Sequence, residues 1–179
     1  ISAQEGCTLR LEPSGGVGGY LLMAEASTPL MYDPNSADGL AELGLDDGPW
    51  LDGIAVTRAR LRPGDEASCL TLYQPRNPRI LGVSSASMAG RFSFAGGDSN
   101  TAWSLLDTTF DDGAIPAIAD QTTLMYVLHL GLGDDFTFTP EGHPEVRLRI
   151  VGALADSVLQ SELIIGEGAF MRLFPRQEG

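Results

Sequence analysis

The nearest candidate for a serine nucleophile lies in an incomplete motif. The stretch Gly82 to Ala86 resembles the GxSxG turn of serine hydrolases but lacks its second glycine. The bases that a catalytic triad would need are His129 and His143, the two histidines of the chain. His129 is flanked by leucines in a helical pattern, which favours a core or rim position, and His143 precedes a proline in a tight turn. The sequence therefore predicts no serine-type active site.

Phosphate-binding and zinc-binding patterns are also incomplete. The run Ser14 to Gly19 has the glycines of a phosphate loop, but it has no lysine and no strand-to-helix setting. Cys7 and Cys69 form no CxxC pair and have no histidine at ligand spacing, which argues against a zinc site. In an exported chain the two cysteines would form one disulfide, and in a cytosolic chain they would be buried thiols. The residues alone leave both states open.

Acidic turns are the strongest remaining chemical signal. Aspartates cluster at 33–39, 46–48 and 111–113, and at the pair Asp134 and Asp135. Carboxylate oxygens suit Ca²⁺, yet none of these runs has the DxDxDG spacing of a calcium loop, and Asp with Gly also forms ordinary turns. Glycoside hydrolysis by paired carboxylates needs a sugar-binding cleft, and aromatic residues are only 7% of the chain. We therefore expect no catalytic residue, no resident metal and no cofactor.

Strands and short helices alternate along the chain and would position these residues. The patterns predict strands over 7–13, 20–27, 54–65, 67–74, 115–119, 134–139, 145–154 and 161–166. They predict helices over 84–92, 100–108, 121–130 and 167–175, and one helical turn near 40–43. The first two strands would form a hairpin. Asp120 is expected to cap the helix at 121–130, and Gly131 is expected to end it. This mixed order predicts an α+β fold.

Charge and length restrict the class of protein. The net charge of −13 makes nucleic acid and anionic lipid poor partners, because both require clustered basic residues. The 179 residues, of which 43% are hydrophobic, suffice for one domain with a real core. The longest apolar stretch, 124–132, is too short to span a bilayer. Both ends look cut, so we expect a piece of a longer protein.

Several segments in the second half of the chain share an ordered pattern with a known family. Residues 116–120 read PAIAD, 131–138 read GLGDDFTF and 148–154 read LRIVGAL. In this order they resemble the first strand, the glycine turn with a second strand, and the final strand in extracytoplasmic domains of FtsX-like and MacB-like ABC transporter permeases. RILGVSSASMAGRFSF (79–94) resembles the preceding segment of that family and LIIGEGAFMRLFP (163–175) the following one. The resemblance covers about Arg60 to Pro175, including RLRPGDEASCLTLYQP (60–75).

The resemblance implies a non-catalytic, MacB-like periplasmic core on the outer face of the bacterial cytoplasmic membrane, anchored by transmembrane helices outside this sequence. Such a domain couples cytoplasmic ATP hydrolysis to export or to an extracytoplasmic partner. The implied partners are an ABC ATPase subunit or domain, a periplasmic or outer-membrane protein, and a second permease copy. The family also implies two lobes, with a distal lobe inserted at about 81–154. This compartment predicts a Cys7–Cys69 disulfide.

Two other functions remain open from the residues. A secreted hydrolase or carbohydrate-active module would need a concave site with acids of perturbed pKa. A calcium-binding or adhesion module would need the aspartate loops to converge on one point.

Overall fold

The fold is that of a computed structural model, which describes residues 12–26, 28–45, 48, 51, 53–64, 77–96, 99–140, 142 and 144–175. The predicted strand at 67–74 and most of the one at 7–13 lie outside these ranges, as do Cys7, Cys69 and His143. The predicted disulfide therefore stays a prediction. None of the helices in the described ranges is both long enough and apolar enough to cross a bilayer.

The described elements are short and alternate in type. The strands are β1 (Ala59–Arg62), β2 (Arg79–Val83), β3 (Ser93–Phe94), β4 (Ile115–Asp120), β5 (Asp135–Phe138), β6 (Val146–Ala155) and β7 (Glu162–Gly166). The α-helices are α1 (Ala37–Glu42), α2 (Ser85–Met88), α3 (Ser99–Ala102) and α4 (Glu167–Leu173). A 3₁₀ helix covers Trp103–Asp107 and a π-helix covers Thr123–Leu128. The predicted α+β class is confirmed.

A single mixed sheet joins all seven described strands. Its order is β1-β2-β7-β4-β6, and the outer edge of β6 pairs with both β5 and β3. The pairs β2/β7 and β4/β6 are parallel, and the other pairs are antiparallel. β4 and β6 come from the interval 81–154 that would form an inserted lobe, and β4 pairs directly with β7. The division into lobes stays a prediction.

Both faces of the sheet carry core side chains. On one face the π-helix and α4 cover residues of β2, β7, β4 and β6, in a cluster that includes Ile80, Leu163, Ile165, Ala117, Leu148, Ile150, Leu124, Leu128 and Phe170. On the other face Met88 of α2 and two residues of the 3₁₀ helix, Trp103 and Leu106, pack against strand residues. These strand residues are Leu81, Val83, Ile164, Ile118 and Leu154. All five residues of β7 are buried. A strand enclosed on both faces reads as a continuous apolar run, and this explains the sequence LII in β7.

The two ends of the helical segment after β4 compare differently with the predictions. Asp120 caps the helical segment, since its Oδ1 accepts a hydrogen bond from the backbone N–H of Thr122 at 2.9 Å. The predicted end at Gly131 is wrong by two residues, because His129 already adopts the left-handed conformation at φ 55°. The backbone N–H of Leu130 then donates to the carbonyl of Leu124 at 2.9 Å. This wide turn closes the π-helix before the glycine is reached.

Two predicted strands are wrong or too long. Residues 20–26 form no strand, so the hairpin predicted for the first thirty residues does not form, and Leu21 and Leu22 are 85% and 81% exposed. The strand predicted over 54–65 begins only at Ala59, because Ala59 pairs with Val83, the last residue of β2. Residues upstream of Ala59 have no neighbouring strand among the described residues. The predicted helices at 84–92, 100–108 and 167–175 are present in shorter or mixed form.

Gly82 gives a direct test of the packing between the sheet and α4. A Cβ atom built at Gly82 would lie 2.6 Å from Cβ and Cγ of Phe170, a side chain with no exposed surface. We expect Gly82→Ala to lower the free energy of unfolding by about 1–3 kcal/mol through overpacking. Gly131→Ala is the matched control, since its Cβ would meet only Asp134 Oδ2 at 3.6 Å. Urea denaturation of both variants measures the difference, and an unchanged or more stable Gly82→Ala protein would refute this packing.

Candidate functional site

The described histidine and serine candidates do not form a catalytic arrangement with each other. His129 lies exposed at the end of the π-helix rather than in the core, and its Nδ1 is 3.1 Å from the carbonyl oxygen of Met125. Ser84, the serine at the centre of the incomplete motif, is the N-cap residue of α2, and its side chain makes no capping hydrogen bond. The adjacent Ser85 donates a hydrogen bond of 2.6 Å to Asp107 Oδ2. The hydroxyl of Ser85 is thus held by a carboxylate in the 3₁₀ helix.

Two of the predicted acidic clusters converge, but on arginines rather than at a cation site. Arg149 donates to Asp135 Oδ1 at 2.7 Å and to Asp112 Oδ2 at 2.7 Å. Arg147 lies 3.1 Å from Asp112 Oδ2, and the Arg149 guanidinium lies 4.9 Å from the ring centre of Phe110. The hydrogen bonds from Arg149 are the main cause that lowers the pKa of both carboxylates. No group of three or more metal-binding side chains occurs within the described part of the chain.

The first acidic cluster is used for local turn formation. Asp33 Oδ1 accepts hydrogen bonds from the backbone N–H and the side-chain amide of Asn35 at 3.1 and 3.0 Å, and these bonds lower its pKa. The acidic pair at 46–47 lies outside the described residues. Asp134 accepts a hydrogen bond of 2.7 Å from the backbone N–H of Gly131. The aspartates at 33 and 134 therefore act as turn residues, the alternative that the sequence left open.

A buried ion pair at the start of β7 was missed by the sequence analysis. Glu162 is only 5% exposed, and its Oε1 accepts a hydrogen bond of 2.8 Å from Arg79 Nε on the neighbouring strand β2. Glu162 Oε2 has no hydrogen-bond partner among the described residues. Burial raises the pKa of Glu162, and the hydrogen bond and charge of Arg79 oppose this shift. The pairing depends on strand register, which residue periodicity alone does not reveal.

Arg79 also connects the sheet to the N-terminal part of the chain. Its Nη2 donates to Glu25 Oε2 at 2.9 Å, and this hydrogen bond is the main cause that raises the pKa of Arg79. A second attachment point lies at Tyr20. Its ring centre is 4.3 Å from the guanidinium carbon of Arg91 and 6.3 Å from the ring centre of Phe92. The described residues from 20 to 58, which we call the arm, are thus attached near their first residues to β2 and to the segment that precedes β3.

The arm itself buries almost nothing. Among its described residues Gly39 alone is buried. Of the fifteen large apolar side chains that are exposed in the described chain, nine belong to the arm: Leu21, Leu22, Met23, Leu30, Met31, Tyr32, Leu45, Ile54 and Val56. Two of these groups, 21–23 and 30–32, are consecutive in the chain, and clustered exposure of apolar side chains marks interaction surfaces. The arm is therefore the strongest candidate for a functional site.

Polar contacts give the arm its shape. The Asn35 side chain donates to the carbonyl of Val56 at 2.9 Å and accepts from its N–H at 2.8 Å, as a neighbouring strand would. Ser36 caps α1, since its Oγ accepts a hydrogen bond of 3.0 Å from the backbone N–H of Gly39. The two bonds between Asn35 and Val56 hold these segments side by side, and the Ser36 cap fixes the start of α1. The apolar side chains of the arm are thereby presented in a defined conformation.

A cleft of about 460 Å³ separates residues 106–116 from α4. Its lining includes Thr108, Phe110, Gly168 and Arg172, so it mixes hydroxyl, aromatic and basic groups. Among the described residues that line it there is no histidine, cysteine or serine. The cleft adjoins the network of Arg149, Asp112 and Asp135, because Phe110 lines the cleft and its ring also lies against the Arg149 guanidinium.

Comparison with known proteins gives no direct assignment. No model of a known protein family matches this chain, and no curated protein matches it either. The geometry of the molecule is therefore the basis for assigning its function. That geometry combines a rigid sheet, an ionic anchor and an exposed apolar arm.

The buried Glu162 predicts a specific pH dependence of stability. Its pKa in the folded state lies above the ordinary value of 4.5. The folded state then holds this proton more strongly, so the contribution of Glu162 is fully present below pH 4.5 and is lost as the pH rises through the folded pKa. We expect the melting temperature of Glu162→Gln, relative to wild type, to increase as the pH rises above 4.5 and to level off once the pH exceeds the folded-state pKa of Glu162.

Thermal denaturation across this pH range measures the effect of Glu162→Gln. The exposed Glu145→Gln controls for the loss of one carboxylate charge. A melting-temperature difference between Glu162→Gln and wild type that does not change with pH would show that Glu162 is not held in a desolvated position.

The network around Arg149 predicts the opposite pH dependence. Because Arg149 lowers the pKa of Asp112 and Asp135, their stabilising effect is present above the ordinary value of 3.8 and is lost as the pH falls through the lower folded values. We expect Arg149→Met to lower the melting temperature at neutral pH and to approach wild type in strong acid. Arg172→Met is the control, since Arg172 makes no ion pair with a described residue. Equal pH profiles for the two variants would contradict the network.

Proposed function

We propose that this chain is a non-catalytic extracytoplasmic domain of a MacB-like ABC transporter permease. It would couple ATP hydrolysis in the cytoplasm to export or to an extracytoplasmic partner. The observation that carries the proposal is the element order from β2 to α4. The segments with the family resemblance form these elements in sequence order: β2 with α2 and β3, then β4 with the π-helix, then β5 with β6, and last β7 with α4.

The mechanics of the sheet support a role in transmitting motion. The four strands β2, β7, β4 and β6 are hydrogen-bonded side by side and covered by helices on both faces. Close-packed protein interiors resist local deformation, so such an element moves as a body. A displacement applied at one edge of the sheet would therefore reach the other edge without local unfolding.

The contacts of α4 support a mechanical link at the C-terminal end. Phe170 is fully buried against Gly82 of β2, and Glu167 forms an ion pair of 3.0 Å with Arg60 of β1. The guanidinium of Arg62 lies 5.2 Å from the ring centre of Phe174. A force on α4 would thus enter the sheet through three separate contacts. In the proposed setting α4 leads toward a membrane helix outside this sequence.

The proposal also specifies surroundings and partners. The domain would lie on the periplasmic face of a bacterial cytoplasmic membrane, in a permease dimer driven by an ABC ATPase subunit or domain. An outer protein, periplasmic or in the outer membrane, would receive its motion. In that oxidising compartment Cys7 and Cys69 would form a disulfide.

Fractionation of cells that produce the longer protein from its own gene tests the proposal. We expect the product in the membrane fraction after an alkaline wash, and we expect external protease to cleave this domain in spheroplasts. An ATP-hydrolysing subunit or domain should purify together with it. A product that is soluble, or that protease reaches only after lysis of the cytoplasmic membrane, would overturn the proposal.

A further inference from the structure

The arm presents a large apolar surface that no described part of the chain covers. We propose that this surface docks a partner protein whose apolar groove is rimmed by lysine and arginine. The inference goes beyond the proposed function and does not depend on it, because it rests on the arm alone. It would hold equally for a chain that is not anchored in a membrane.

The apolar anchors are concentrated at the start of the arm. Leu21, Leu22 and Met23 are 85%, 81% and 63% exposed, although they follow each other directly in the chain. A second group, Leu30, Met31 and Tyr32, follows shortly after. Burial of three such side chains in a groove would strengthen binding by about a hundredfold or more. Exposed apolar residues scattered singly need no such explanation, but a consecutive run does.

The arm is prepared for binding before any partner arrives. Tyr20 and Glu25 bracket the first apolar group and are fixed to Arg91 and Arg79. The bonds between Asn35 and Val56 fix the region after the second group. A binding surface that is already ordered loses less conformational entropy on association. The contacts therefore favour a docking surface over a segment that orders only on binding.

The charges carried by the arm indicate the chemistry of the partner. Apart from Glu25, which is paired with Arg79, the described arm carries three acidic side chains, Asp33, Asp38 and Glu42, against one basic side chain, Arg58. Complementary charge guides association and excludes wrong partners. A second copy of this chain would bring the same excess of acidic side chains and a further net charge of −13. Anionic lipid would be repelled for the same reason, which leaves a partner protein with a basic rim.

Site-specific photo-crosslinking of the full-length chain in its own cells tests this inference. A photoreactive residue replaces Leu22 in the arm or, as the matched control, Tyr126 on the π-helix, which is 71% exposed. We expect the arm position to crosslink one protein, at a segment where apolar residues alternate with lysine or arginine. Crosslinks between two copies of the chain, to lipid, or to an acidic segment would overturn the inference.

Binding of the purified partner then separates the anchors from general stickiness. We expect the triple variant L21S/L22S/M23S to bind about a hundredfold more weakly. The control triple variant M125S/Y126S/L132S removes three apolar side chains that are 52%, 71% and 58% exposed elsewhere, and it should leave affinity unchanged. Asp38→Asn with Glu42→Gln should weaken binding and reduce its salt dependence. Equal losses in both triple variants would refute a specific docking surface, and unchanged melting temperatures confirm that the variants fold.

Discussion

The rest of the structure depends on the burial of β7 between β2 and β4. All five of its residues are buried, and one of them, Glu162, is charged. A buried carboxylate is costly unless it is paired, and Arg79 on the adjacent strand supplies the partner at 2.8 Å. Arg79 in turn reaches Glu25, so the same pair that completes the sheet also attaches the arm. Because β7 joins β2 to β4, the two halves of the sheet depend on the same strand.

This arrangement separates two physical roles within one chain. The sheet concentrates apolar burial on both of its faces, and the arm gathers most of the exposed large apolar side chains. The first property gives a body that keeps its shape under load. The exposed apolar side chains of the arm give a surface on which a partner could bury apolar area. A domain that receives motion through α4 and passes it to a partner through the arm would require both.

The sequence predicted those elements in which the spacing of apolar residues matches the side chains that are buried in the sheet. β4, the β5/β6 pair, β7 and α4 follow strand or helix patterns and occur within a few residues of their predicted positions. Residues 20–26 show why other predictions failed, since an apolar run looks the same in sequence whether it enters a sheet or stays exposed at the surface. β1 is shorter than its alternation because β2 ends opposite Ala59. The Arg79–Glu162 pair is set by register between distant strands, which no local pattern records.

Hydrogen exchange of the full-length protein in lipid nanodiscs, with and without ATP, tests the central claim that a rigid sheet passes motion to the arm. The account predicts that amides of β7 and β4 remain strongly protected in both states, because these strands lie at the centre of the sheet. It also predicts that exchange in the arm changes when ATP is added. Loss of protection in β7 and β4 with ATP, or an arm that does not respond to ATP, would contradict it.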